Sequence, residues 1–452
     1  RIRAAHPRLS MISARPSEEN VDKILPPLLS KAAAALENDD SLLALQTLKE
    51  ARKLRLPKRS PELDSFWHSL YKRLARLELR DIYEENILAG GLSGEVADYR
   101  CGLLVLADNK TLKFVKNPDS KAPGTVEVRL STAPVSVSLS PGAVIAAALT
   151  DDGHLWLFNP LTGAGAGQAL AHVGAGCVTR FRSDGRRLFT AGVDGQLKMW
   201  DTAHGYLDKG TPLLVKKLSE HPLQAMAFSP NGRLLSISDG YVEYRLPADK
   251  LSGPVRTLPM TGPGQEPRKL VGLEADPFNR YLLSAHQEGL TFHPLFDTDW
   301  RADLGNLGSA AQALALSPDA RLLAVALTDG RLLLGLAPDQ KQNTFLPIRR
   351  IESGPICYLG FSADSSHLLT AGRTGVGIYS LDWDLEPVQT RPWNKMAEII
   401  LGNFASRHIS TPFSEKMAEA FLTELINSGL TGHDRKSTIN RLKEALDRLN
   451  GS

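Results

Sequence analysis

Read from its amino end, the chain changes hydrophobic period twice. Residues 1–19 show no periodicity and read as an arm or linker. Beyond them apolar residues recur at three- and four-residue spacing: Val21, Ile24, Leu28, Leu29 and Ala32, then Leu42, Leu45, Leu48, Ala51 and Leu54, then Leu63, Phe66, Trp67, Leu70, Leu74, Leu77 and Leu79. That spacing predicts three amphipathic helices, capped by Asn20, Ser41 and the Ser60-Pro61-Glu62 start. Pro26 and Pro27 are expected to disturb the first helix or reset its start. Near residue 90 the period shortens, and the chain becomes a series of apolar runs of four to seven residues split by Gly, Asp and Pro, the pattern of short strands. After Trp393 the helical spacing returns, predicting helices over 395–404, 414–428 and 435–449, with Ser414 and Ser437 as caps and Gly429 and Gly432 ending the middle one.

The strand region repeats itself. LSPGAVIAAAL at 139, FRSDGRRLFTAG at 181, FSPNGRLLSIS at 228, ADPFNRYLLSA at 275, LSPDARLLAVA at 316 and FSADSSHLLTAG at 361 align on one anchor, 41 to 47 residues apart. A tight turn comes after each: Asp152-Gly153, Asp194-Gly195, Asp239-Gly240, Glu288-Gly289, Asp329-Gly330 and Thr374-Gly375. Glycine there meets the positive φ of a two-residue hairpin. A further unit from Ala97, turning at Asn109-Lys110, makes seven. A four-stranded unit cannot bury both faces alone, whereas seven stacked radially share one continuous core.

One unit runs from His172 through CVTRFRSDGRRLFTAGVDGQLKMWD to Trp200-Asp201. It resembles the WD-repeat family. The resemblance implies a seven-bladed β-propeller and a structural tetrad of His172, Thr190, Asp194 and Trp200. The other units end their third strands without Trp-Asp, so their closure is expected to rest on apolar packing. The helical stretch ALENDDSLLALQTLKEARKL…PELDSFWHSLYKRL resembles tetratricopeptide units. The expected organisation is an arm (1–19), a helical segment (20–86), a mainly β propeller (87–392) and a C-terminal helical segment (393–452). The tail is too short for a large core of its own and should pack on the propeller, on the N-terminal helices or on a partner. An unclosed ring would expose strand edges, so the seventh blade needs a fourth strand. Residues 86–89 are favoured over 387–390 because Ile87-Leu88-Ala89 is the more apolar.

Composition narrows the function. With 53 Lys and Arg against 50 Asp and Glu, the 452-residue chain is nearly balanced, unlike a dedicated polyanion binder. Three cysteines and no CxxC pair exclude a disulfide framework and point to a reducing, cytoplasmic compartment. Cys101, Cys177 and Cys357 fall on or beside inner strands and read as small buried hydrophobes. None of the eleven histidines has HxH or HExxH spacing, and His286 and His293, seven apart, are the nearest approach to a ligand pair. No phosphate loop or nucleophile elbow is present, and the glycine-rich stretches GAGAGQ at 163 and GPGQEP at 262 read as flexible loops. No catalytic residue, cofactor site or metal site is assigned. The Asp-Trp-Asp at 382–384 lacks the arginine of a cullin-adaptor box. One basic stretch stands out: residues 50–80 hold nine Lys or Arg against four acids, with aromatics between. Arg52, Lys53, Arg55, Lys58, Arg59, Trp67, Tyr71 and Arg73 are its candidate partner-binding residues.

The expected function is a non-enzymatic protein–protein interaction scaffold or adaptor subunit. Its partners are other proteins, an ATPase or secretion-type assembly among them. A nucleic-acid-associated propeller acting through the basic helices is the alternative, and a propeller enzyme the third reading. Low cysteine and abundant Ala, Leu, Arg and Gly give the chain a bacterial look.

Overall fold

The fold is described from a computed structural model, which covers the chain outside residues 1–17, 55–59, 89–91, 119–122, 208–209, 250, 252, 261–265, 267, 288, 296–301, 306, 339–344, 387–391, 410 and 451–452. Two compact units emerge: residues 1–78 with 383–389, and residues 79–382 with 390–452.

In the first unit, helices α1 (Glu18–Glu37), α2 (Ser41–Lys53) and α3 (Pro61–Ser69) pack on one another. Helix α1 runs through Pro26 and Pro27 without a break, against expectation. Asp40 caps α2, its carboxylate accepting from the Leu43 N–H at 2.9 Å, so the cap lies one residue before the expected Ser41. Ser60 caps α3 with Pro61 at the first helical position, as the sequence indicates. The third helix is shorter than its apolar stripe suggested. A 3-10 turn, Leu70–Lys72, succeeds α3, and from Ala75 the chain is a strand that carries Leu77 and Leu79. The expected helical segment 20–86 therefore ends in β structure.

In the second unit, seven four-stranded antiparallel sheets form the seven blades of a propeller. Each blade runs from an inner strand a to an outer strand d. Blade 3, for example, comprises Gly176–Phe181, Arg187–Gly192, Gln196–Asp201 and Leu214–Lys217. Blade 7 takes strands a to c from Tyr358–Phe361, His367–Gly372 and Gly375–Glu386, and its d strand from Ala75–Leu88, ahead of the first repeat. The ring thus closes through the N-terminal segment, the more apolar of the two candidates. Apolar clusters fill the spaces between successive blades; Leu104, Leu106 and Val115 of blade 1 meet Leu369, Ala371 and Val376 of blade 7 across the closure. The b–c turns have the backbone their sequences demand, with positive φ at Gly153, Gly195, Gly240, Gly289, Gly330 and Gly375, and at Asn109 in blade 1. Glu288 lies outside the described residues. The GAGAGQ stretch is not a loop, because Gly165–Leu170 form the d strand of blade 2. Most of the second glycine-rich stretch, 262–265 and 267, lies outside the described residues.

Helices α4 (Lys395–Arg407), α5 (Glu415–Asn427) and α6 (Arg435–Asn450) complete the second unit. Their caps are Asn394, Ser414 and Asp434, the last replacing the expected Ser437. Ile400, Leu401, Phe404, Phe421, Leu425 and Leu442 form a core that takes in Phe278 from the a–b turn of blade 5. Asn403 accepts from Asn279 at 2.6 Å and donates to the Pro277 carbonyl at 3.2 Å, while Arg407 donates to the Pro230 carbonyl at 3.2 Å. The tail thus docks on the face of the propeller that carries the a–b turns, at blades 4 to 6.

Removal of residues 1–88 is expected to expose the outer edge of strand c in blade 7 and drive edge-to-edge association. Light scattering after size exclusion checks this. A synthetic peptide spanning 75–88 should restore monomer, and a truncated protein that stays monomeric without it would show that the strand is dispensable.

Candidate functional site

Strands b and c of blade 3, the turn between them and the loop before strand a bring four side chains together. Trp200 Nε1–H donates to Thr190 Oγ1 at 3.0 Å, Thr190 Oγ1 lies 2.9 Å from His172 Nε2, and His172 Nδ1 lies 2.9 Å from Asp194 Oδ1. Register explains part of this. Leu188 pairs with Trp200 and Thr190 with Lys198, so Thr190 and Trp200 are diagonal neighbours on the b–c ladder. The partners also assign the tautomer. With the proton on Nδ1, a neutral His172 donates to the carboxylate and accepts from the Thr190 hydroxyl, so every side-chain donor of the set has an acceptor within it. His172, Thr190 and Trp200 are buried. The imidazole pKa is lowered from its ordinary 6.5 because desolvation outweighs the attraction of Asp194. Gly192 makes room for the ring: a Cβ there would lie 2.6 Å from His172 Cγ.

Polar networks also tie blades 4 and 5, which the sequence assigned to apolar packing. Glu243 and Arg245 of blade 4 form a buried pair at 2.7 Å, and Arg245 donates to the Pro294 and Leu295 carbonyls of blade 5 at 2.7 and 3.1 Å. His293 Nδ1 lies 3.4 Å from Glu243. Burial would raise the Glu243 pKa, but His293 and Arg245 overcome it and hold the carboxyl below its ordinary value. In blade 5, Arg268 reaches His286, Thr291 and Asp303, and Thr291 Oγ1 donates to Asp303 at 2.7 Å. His286 and His293 therefore belong to different networks. His286 pairs with Gly289 in the hairpin register and His293 with Leu282, at opposite ends. Among the described residues, no three His, Cys, Asp or Glu side chains converge in a metal-binding arrangement. The signal that could have found these networks is weak: a charged pair two apart on a strand, Glu243 and Arg245, where a buried strand should be apolar.

Around the axis, the inner strands bond across blades. Tyr99 N–H donates to Tyr358 Oη at 2.9 Å, Leu139 N–H to Asp98 Oδ2 at 2.7 Å, Thr179 N–H to Ser136 Oγ at 3.1 Å, and Leu270 N–H to Gln224 Oε1 at 2.8 Å. Burial, then Asp98, pushes the Tyr358 pKa up. Arg100, Arg180 and Glu274 add charge to the inner strands. Glu274 is raised by burial, opposed by Arg180 and Arg100. Cys177 and Cys357 are half-buried, and burial pushes both thiols up to about 11. Cys101 departs from the buried reading, being exposed in a turn with φ 50°.

The basic helical stretch folds differently from a stacking platform. Trp67 and Tyr71 are buried; Trp67 Nε1–H donates to the Trp383 carbonyl at 3.1 Å, and the Trp383 N–H donates to Tyr71 Oη at 3.0 Å. The aromatics fill the core of the first unit instead of facing a partner, because each has an apolar body to bury and a polar tip that Trp383 satisfies. Arg52 lies over the Trp67 ring at 3.6 Å, and Arg73 pairs with Asp39 at 2.8 Å. Lys53 is exposed. Arg55, Lys58 and Arg59 lie outside the described residues.

Residues 169–201 match the WD40 family, described as WD domain, G-beta repeat, and span the chain from before His172 to Asp201. This chain is a seven-bladed β-propeller, one of whose repeats matches the WD40 family. Over 276 residues the chain is 25% identical to telomerase protein component 1 of Mus musculus, and over 272 residues 25% identical to that of Rattus norvegicus. These alignments take in 59% and 58% of the chain but 10% of each relative, so the chain spans about a tenth of the length of the curated relatives it matches. A chain in the crystal structure of the mitotic checkpoint complex superposes with a TM-score of 0.55 at 14% identity, over 73% of this chain and 98% of that one. That likeness is one of fold.

The blade-3 geometry has two measurable outcomes. Trp200→Ala should destabilise the propeller by about 3–5 kcal/mol in chemical denaturation, and a loss under about 1 kcal/mol would mean the set contributes no more than a surface contact. The lowered His172 pKa means that the unfolded chain takes up this proton more readily. The network's contribution is complete above about pH 6.5 and declines as the pH falls. The thermal midpoints of wild type and His172→Asn should therefore differ most at pH 7.5 and draw closer as the pH falls toward 5.5, and a gap that widens on acidification contradicts the assignment.

Proposed function

We propose that this propeller is a non-enzymatic scaffold or adaptor subunit that docks other proteins. The observation that carries the reading is the division of its faces. The C-terminal helices cover the a–b face at blades 4 to 6, while the face with the b–c turns presents apolar side chains to solvent. Val173 is 79% exposed there, its N–H donating to Asp194, and Val193 stands close by across Gly174. Apolar side chains held rigidly at a turn beside a buried polar set suit protein docking. The relatives support the same reading. Both are named as a protein component of telomerase, that is, as parts of an assembly. Among the described residues no helix is long and apolar enough to cross a membrane. In this reading the protein works in the cytoplasm, where its three free cysteines stay reduced.

The test is affinity capture from native lysate with quantitative mass spectrometry, run on wild type and on Val173→Asp/Val193→Asp. Wild type should recover a defined set of proteins at near-stoichiometric yield, and the double variant should lose at least part of it while keeping its thermal midpoint. Recovery of no stoichiometric partner would overturn the reading.

A further inference from the structure

Three cavities meet where the a–b turns of blades 3 and 4 approach α4 and α6. Their volumes are about 330, 500 and 460 Å³, and all three border Asn231 and Arg233. They form one groove with a basic centre and two largely aliphatic arms. The smallest cavity is lined by Arg182, Arg186, Arg233 and Arg407 against two acids, Asp184 and Asp249. Arg182 pairs with both acids, and Arg407 pairs with Glu424. Among the described residues, Arg186 and Arg233 have no carboxylate partner, and both are exposed. The Ser183 hydroxyl beside them is buried and makes no hydrogen bond. Two uncompensated guanidiniums and an unused hydroxyl at one cavity leave charge and donors for an anion.

The arms identify the kind of molecule that brings it. One is lined by Leu234, Pro247, Pro254 and Leu295 with Arg245 and Arg256 at its side, the other by residues that include Ile399 and Leu449 with Glu398 and Arg448. None of the lining residues is aromatic, so nothing there stacks a base, whereas aliphatic walls accept aliphatic side chains. We propose that this groove seats an acidic segment of a partner protein, with its anionic side chain between Arg186 and Arg233 and aliphatic side chains in the arms. The inference rests on the scaffold reading and names the class of partner segment. The anion is a carboxylate or a phosphorylated hydroxyl, and the test separates the two.

Affinity selection of synthetic nonapeptide pools reads this directly. One pool has a fixed Glu-Glu centre, one a phosphoserine centre and one a neutral Gln-Ser centre, each degenerate elsewhere, and a decathymidine strand serves as the nucleic-acid arm. Wild type should retain an acidic pool over the neutral one, with Leu, Ile or Val enriched beside the centre, and the better-retained acidic pool identifies the anion. Retention should fall steeply between 50 and 300 mM salt. Arg186→Glu and Arg233→Glu should each weaken it by about tenfold or more. Arg186→Gln/Arg233→Gln gives the same reading should charge reversal disturb folding, and thermal midpoints verify the fold. Equal retention of the neutral pool, indifference to both pairs of substitutions, stronger retention of decathymidine, or retention of no pool would each overturn the proposal. The scaffold reading is judged separately on the opposite face. Partner capture lost on Val173→Asp/Val193→Asp but kept on the arginine variants, together with failed peptide selection, would remove the groove and leave the scaffold.

Discussion

An inner strand of a propeller blade has one edge paired within its sheet and the other turned toward the axis, where its N–H groups still need acceptors. This chain meets that demand across blades. At four junctions among the described residues, a side chain of one blade accepts an inner-strand N–H of the next: Asp98 for Leu139, Ser136 for Thr179, Gln224 for Leu270, and Tyr358 for Tyr99. The last joins blade 7 to blade 1. Since each bond needs the adjacent blade in place, opening the ring at any of these four junctions leaves donors unpaired, and the d strand borrowed from Ala75–Leu88 guards the point where the chain itself is discontinuous.

The same demand explains how divergent repeats build alike blades. A buried polar group in one blade is tolerated when its partners lie in that blade or the next. Blade 3 uses a hydrogen-bonded set around Trp200, blades 4 and 5 share the Glu243–Arg245–His293 group, and blade 5 uses Arg268 with Asp303. Loss of one member of a buried ionic group strands the others, so these networks fix which neighbours must change together. They also place charge where it is already compensated, which separates them from Arg186 and Arg233 at the groove beside α4.

The two faces differ in what covers them. Helices α4 to α6 attach through the a–b turns at Pro230, Phe278 and Asn279, and their own core is continuous with those turns. The basic groove lies at that attachment, and the exposed valines of blade 3 lie on the other face. On the proposed reading these are two docking surfaces on one rigid ring, as a bridging subunit requires.

What the sequence determined by itself is the part that contiguous residues decide. The 41- to 47-residue repeat, the two changes of period, the b–c turn glycines and the spacing of His172, Thr190, Asp194 and Trp200 are all local, because strand alternation and positive φ depend on near neighbours in the chain. The third helix was misjudged where locality fails: Leu77 and Leu79 continue a helical stripe, yet pairing with a strand some 300 residues later makes them β. Tertiary structure alone turned Trp67 and Tyr71 inward onto Trp383, joined Arg245 to carbonyls about 50 residues away, and set Arg186 and Arg233 at one cavity. Each of these depends on which distant groups must share a buried volume and satisfy one another's hydrogen bonds, and no period in the sequence encodes that.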